Sequence, residues 1–391
     1  VIGRVEGSQA RSLAIRELEA SGSVTPAAIE EFLAAHEFPL VEDSTVTFVW
    51  RGSATAVHLR HWVYGLPSSQ PFRRLGPTDL WYLTLELPDE SRVEYKIEVV
   101  RGRHARWIED PLNPRRARDP FGANSVCQTR GYEEPDWTRP DPEAEAGSLE
   151  EVAWESDALG GPVRVTMYLP ARFRPTRSYP LLVVHDGPDY LSYSALKTVL
   201  DNLIHRLEVP GLVAALLHPR DRLREYADHE PHARFVAQEL LPNLEARYPL
   251  ERRPAARCLL GASLGAVASF ATAARYPELF GRLLLQSGTF AFSDLGEADL
   301  KDRNPALSPI VEMMNDYRRA PRPVAERVFL CCGTFESLIY ENRSLVPVLQ
   351  SAGMDVRWVE ARDGHNWENW RDRLREGLSW LFPGPLWMVY E

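Results

Sequence analysis

The sequence predicts two parts: an α/β domain, a mostly parallel sheet with helices on both faces, and before it a small all-β sandwich. Three observations predict this. Between about residues 45 and 100, apolar and polar residues alternate with period two. After about residue 150, continuous apolar runs of strand length alternate with amphipathic helical stretches. One of those runs enters Gly261-Ala262-Ser263-Leu264-Gly265 and leaves it as a helical pattern.

In chain order, residues 1–44 read as a helical segment. "SLAIRELEASG" ends at a glycine, and "TPAAIEEFLAAHEF" opens with Thr25 as N-cap and Pro26 at the first helical position. The runs "VTFVWRG", "AVHLRHW", "LWYLTLEL" and "RVEYKIEVV" are half-buried antiparallel strands by their alternation, and assign residues 45–130 to the sandwich. "YEEPDWTRPDPEAEAG" is acidic and rich in proline, the composition of a linker, over 131–150. From 151 to 391 the strand candidates are "VRVTMYL", "PLLVVHDG", "LVAALL", "RCLLGAS", "RLLLQSG", "RVFLCCG" and "DVRWVEA". Helical patterns fall between them at 193–206, 232–248, 265–276, 340–352 and 370–381. Continuous apolar strands are those buried on both faces, which is why a parallel sheet follows.

Bulk properties narrow the function. The chain has 391 residues, 44% of them hydrophobic, with a formal net charge of −10. An acidic average argues against nucleic acid, whose phosphates demand a basic surface. No apolar run approaches the roughly 20 residues that span a bilayer, and the opening residues lack the apolar centre of a secretory signal. Cys127, Cys258, Cys331 and Cys332 show no CxxC spacing and read as reduced core thiols, pointing to a reducing compartment. His185 beside Asp186 has metal-ligand chemistry, but no second cluster has ligand spacing, so no metal or cofactor is expected.

The Gly-x-Ser-x-Gly turn carries the chemistry. A serine on a sharp strand-to-helix turn projects above the sheet, and glycines at 261 and 265 permit the close backbone approach. Ser263 is therefore the candidate nucleophile of an α/β-hydrolase, whose chain order is nucleophile, acid, histidine. His365 is the one histidine after Ser263 and lies in a loop following a strand. Glu336, just past "VFLCCG", is the preferred acid; Asp363, two residues from the histidine, and Glu341 are the competitors. The oxyanion hole is expected from the backbone N–H of Leu264 with a second N–H from the loop at Asp186 and Gly187.

Beyond these spacings, the segments "VVHDGPDYL", "RDRLREY", "FVAQELLPNLEARYPL", "RCLLGASLGAVASFATAARYPELFGRLLLQSGTF", "GTFESLIYENRSL" and "DGHNWENWRDRL" resemble the enterochelin esterase family, in the esterase-D-like branch of the α/β-hydrolases. The resemblance runs from about 160 to 382. It extends to "DPLNP" at Asp110–Pro114, which in that family closes an N-terminal immunoglobulin-like domain. The resemblance implies a Ser263, His365, Glu336 triad. It also implies ester hydrolysis of ferric enterobactin, a cyclic trilactone of catechoyl-serine, in the cytoplasm without a metal cofactor. The loop at His185 departs from the family's characterised members, where an aliphatic residue precedes Asp-Gly.

A ferric tris-catecholate is a trianion, so its pocket calls for local positive charge. Arg220, Arg222 and Arg224 share one loop, and Arg115, Arg116 and Arg118 cluster near the domain junction. Both clusters are expected to converge on one cleft, with Trp367 and Trp370 stacking on catechol rings or packing in the core. The partner is thus a small anionic ester. Two other readings stay open. One is a carbohydrate esterase removing feruloyl or acetyl groups, with the sandwich as a glycan module. The other is a non-catalytic carbohydrate-binding protein, with Trp50, Trp62 and Trp81 as a sugar platform.

Overall fold

The computed structural model describes residues 3–4, 13–22, 24–292 and 305–385; Ser12, at the start of the first expected helix, and the tail after 385 lie outside them. The chain forms two units. The first is Val1–Glu133 with Thr334–Ser337 and Ala361–Asn366; the second is Glu134–Gly333 with Leu338–Glu360 and Trp367–Glu391.

The first unit contains two antiparallel sheets. Its strands are β1 (Gly3–Arg4), β2 (Leu40–Glu42), β3 (Thr45–Arg51), β4 (Ala56–His61), β5 (Ser69–Pro71), β6 (Arg73–Arg74), β7 (Leu80–Glu86), β8 (Arg92–Arg101), β9 (His104–Ile108), β10 (Arg116–Asp119) and β11 (Gly122–Gln128). One sheet runs β1-β7-β3-β2 with β6 on β7, the other β10-β11-β8-β4-β5 with β9 on β8. Period-two alternation sends Val46, Phe48 and Trp50 of one sheet into a shared core with Val57, Leu59, Tyr95 and Ile97 of the other. Trp50 and Trp81 are in that core, so they form no sugar platform, while Trp62 is 54% exposed.

The helical segment is not a separate part. The helices Ala14–Ala20 and Pro26–Ala35 cover the outer face of β3 and β7, where Ile15, Ile29 and Phe32 cluster with Val49, Leu80 and Tyr82. Thr25 caps the second helix by accepting from the Ala28 N–H at 3.2 Å. The Asp-Pro-Leu-Asn-Pro turn is held by buried polar contacts: Tyr95 donates to Asp110 at 2.6 Å, and Asn113 to the Val126 carbonyl at 2.8 Å.

The second unit is an eight-stranded sheet. Its strands are β12 (Ser148–Ser156), β13 (Gly161–Leu169), β14 (Leu181–Val184), β15 (Val213–Leu217), β16 (Arg257–Ala262), β17 (Arg282–Gln286), β18 (Arg327–Gly333) and β19 (Asp355–Ala361), in the order β12-β13-β15-β14-β16-β17-β18-β19. β12 and β13 are antiparallel to their neighbours, and β15, β14, β16, β17 and β18 are mutually parallel. The central strands are buried along their whole length, with a large apolar cluster on each face.

Residues 134–147 are not a free linker. Asn202 donates to the carbonyls of Trp137 and Arg139 at 2.8 and 2.7 Å, and Arg371 pairs with Glu134 at 3.1 Å. These contacts satisfy the backbone that composition alone assigned to solvent. β12 and the helices Gly187–Tyr193 and Ser308–Arg319 were not expected. β12 is an exposed edge strand that lacks an apolar run.

Candidate active site

β16 delivers Ala262 to the carboxyl edge of the sheet, and the chain turns at once into the helix Leu264–Arg275. Ser263 makes that turn with φ 56° and ψ −119°, a conformation costly for any residue with a side chain. Gly261 is sterically required and Gly265 is tightly packed. A Cβ on Gly261 would lie 2.2 Å from the Gly265 carbonyl carbon, and one on Gly265 3.2 Å from the His185 Cβ. The Ser263 N–H donates to the Gln286 carbonyl at 2.9 Å, and its hydroxyl lies 3.3 Å from the Thr289 hydroxyl. Asn342 pins the adjoining turn by bonding both the N–H and the carbonyl of Gly288, at 3.0 and 2.8 Å.

The neighbouring parallel strand β14 delivers the second loop. Gly187 is packed so tightly that a Cβ there would sit 2.3 Å from the Leu216 Cβ. Gly187 and Leu264 are each the first residue of a helix, where an N–H has no intrahelical acceptor. Asp186 corrects the expectation. Its N–H donates to the Tyr226 hydroxyl at 3.1 Å, which leaves Gly187 as the candidate donor of this loop. The Asp186 carboxylate accepts from the Nε and Nη2 of Arg222, each at 2.8 Å. Burial raises its pKa while the guanidinium pulls it down.

Arg222 is accordingly a clamp on this loop, its side chain still 38% exposed. His185 is no metal ligand either. Its Nδ1 meets the Ser269 hydroxyl at 2.9 Å and its Nε2 the His232 Nε2 at 3.0 Å. Burial pushes the His185 pKa down to about 4, so the ring is neutral.

His365 and Glu336 both belong to the first unit. The His365 Nδ1 is 2.7 Å from the Glu336 Oε2; the carboxylate side chain is 1% exposed and the imidazole 39%. A carboxylate only accepts, so this bond places the proton on Nδ1 and the lone pair on Nε2. Asp363 is turned elsewhere, accepting from the Gly364 N–H at 2.7 Å and from Asn366 at 2.8 Å. Glu341 is buried in the second unit, where desolvation pushes its carboxyl up to about 7.

The remaining candidates divide. Arg220 and Arg224 line a cavity of about 270 Å³ with Ala158, Leu159, Asp221 and His229. Arg116 is tied to Glu109 at 2.5 Å and to the Asp110 carbonyl at 3.1 Å, so it braces its own turn, while Arg115 is exposed. The two arginine clusters fall in different units. Trp367 and Trp370 are core residues, 9% and 5% exposed, stacked edge-on at 4.8 Å, and the Trp370 indole donates to Ser287 at 2.9 Å. Their 3-residue spacing puts them on the buried stripe of an amphipathic helix, which overrides the stacking role. Sequence reasoning missed Thr289, Ser269 and His232, which no motif marks.

A family model described as "Putative esterase" matches residues 156–381. The chain belongs to this esterase family. The esterase is 26% identical over 372 residues to the iron(III) enterobactin esterase of Escherichia coli O6:H1, covering 85% of this chain and 90% of that one. It is 25% identical over 377 residues to the iron(III) salmochelin esterase of the same strain, covering 87% and 88%. Among solved structures, the enterobactin esterase of Shigella flexneri crystallised in the presence of enterobactin aligns with a TM-score of 0.71 at 24% identity, covering 93% of this chain and 98% of that one. The esterase thus has the α/β-hydrolase fold preceded by a β-sandwich, and is an ester hydrolase. Among the described residues no helix is long and apolar enough to cross a membrane.

Proposed function

We propose that this esterase hydrolyses the trilactone esters of a ferric catecholate siderophore in the cytoplasm, with Ser263 as nucleophile, His365 as general base and Glu336 as its carboxylate partner. The observation that carries the reading is the backbone of Ser263. A non-glycine residue held at φ 56° between a parallel strand and a helix is the turn that presents a nucleophile. The reaction follows from the proton positions. The His365 Nε2 takes the Ser263 hydroxyl proton as Oγ attacks the ester carbonyl, giving a tetrahedral oxyanion. The Leu264 and Gly187 N–H groups receive that oxyanion, an interaction worth roughly 3 kcal/mol of barrier per donor. Collapse expels the serine alkoxide of the substrate, which leaves with the proton from Nε2. Water then cleaves the acyl-enzyme by the same route.

The siderophore rests on the relatives named for enterobactin and salmochelin esters, which match across both units of this chain. The cavity bordered by Arg220 and Arg224 is also lined by Asp221 and Glu225, with Arg220 3.9 Å from Glu225, so its charges balance and it gives the siderophore reading no support. The four buried cysteine thiols agree with a reducing compartment. The test offers ferric enterobactin, glucosylated enterobactin and feruloyl-xylo-oligosaccharides side by side, with chromatographic detection. Wild type is expected to release linear catechoyl-serine from the first two, and Ser263→Ala to release none. Release of ferulate alone transfers the assignment to the carbohydrate esterases. Equal turnover by Ser263→Ala refutes the nucleophile.

A further inference from the structure

We propose that Arg92 of the N-terminal sandwich is a positioning residue for the catalytic histidine, holding the loop that carries His365 through both of its flanks. This inference rests on the reading of His365 as general base. Arg92 opens β8 and its side chain is 0% exposed. Its Nη1 donates to the Asn366 Oδ1 at 3.0 Å and meets both Asp363 oxygens at 3.4 Å, and its Nη2 donates to the Glu94 Oε1 at 3.0 Å. The Arg92 N–H donates to the Arg362 carbonyl at 2.9 Å. Asp363 in turn accepts from Gly364 and Asn366, so residues on both sides of His365 are bound to one guanidinium.

The acid loop is fastened to the same unit. The Phe335 N–H donates to the Asp363 carbonyl at 3.1 Å, and its own carbonyl accepts the Tyr64 N–H at 2.8 Å. The Phe335 ring packs in the sandwich core with Trp81 and Tyr95, and Glu336 follows it directly. A buried guanidinium is expensive, and an apolar side chain would fill the space at lower cost. The planar fork does what an apolar group does not: it fixes an amide and a carboxylate in one orientation. The sandwich therefore acts in catalysis as the mount for the acid-histidine pair.

The test compares wild type, Arg92→Lys and the double variant Arg92→Met with Asp363→Asn, using p-nitrophenyl butyrate. The double variant removes the carboxylate that loss of Arg92 would strand in the interior. Both variants are expected to lose about tenfold or more in kcat with KM within twofold. Fluorophosphonate labelling of Ser263 slows in the same proportion, because that reaction also needs a correctly placed base. Wild-type kcat in a variant whose circular dichroism matches wild type overturns the inference, as does a loss that disappears when the assay is run well below the variant's Tm. An active, Ser263-dependent wild type with unaffected Arg92 variants defeats this inference alone. A wild type indifferent to His365→Ala defeats the reading beneath it.

Discussion

Glu336 is nearly inaccessible to solvent, with its Oε2 2.7 Å from the His365 Nδ1. In the proposed triad its role is to keep the imidazole in one tautomer and to stabilise the imidazolium as the proton arrives. Glu336→Gln keeps the size but presents an amide that can force the ring into the wrong tautomer. It is expected to lower kcat on p-nitrophenyl butyrate by about 10³-fold with little change in KM, as read from initial rates. Unchanged kcat would remove Glu336 from the machinery. At this scale the chemistry-bearing types were legible, since Ser263 sits in a motif and His365 has no rival downstream. The partners of Asp186, Arg222 and Trp370 were not. A charged or aromatic side chain on a string of letters does not say whether its contacts are ligand or protein.

Elements place these groups through backbone contact. The first turn after β14 abuts β15 so closely that Gly187 has no room for a methyl group, the Leu216 backbone lying 2.6 Å from the Cβ position. Gly187→Ala must displace this turn, whose N–H is proposed to receive the developing oxyanion. The expected outcome is a fall of tenfold or more in kcat, exceeding any change in KM, in a chain that still folds. A kcat within twofold of wild type would mean that this N–H takes no part. The helix found at Leu264–Arg275 and the one at Ile339–Ser351 lie within a residue of their expected bounds, because apolar periodicity and the strand before each fix them. The edge strand β12 alternates too weakly to declare itself; its pairing with β13 across nine residues makes it a strand.

On the scale of the whole molecule, folding stability carries the mark of a buried acid. The Glu341 carboxyl is pushed from 4.5 up to about 7 by desolvation, with Arg318 opposing. Between those values the folded chain holds a proton that the unfolded chain has released. The stability from this group is therefore complete below pH 4.5 and is lost as pH rises through 7. Glu341→Gln is expected to match wild type near pH 4.5 and to exceed it at pH 8 by roughly 3 kcal/mol, as measured by urea unfolding at both values. A constant difference between the variants across that range would refute the assignment.

The sequence by itself determined the two-part architecture, the parallel sheet and the strand-to-helix turn at Ser263, because each is written in local periodicity and in glycines at fixed spacing. Tertiary structure alone decided that the helical segment covers a face of the sandwich and that the expected linker packs on the second unit. It alone decided that Arg222 clamps Asp186 and that Arg92 grips the flanks of His365. These are pairings between residues from 36 to 274 positions apart. They are set by burial, which forces each polar group to find whatever partner the fold brings within reach.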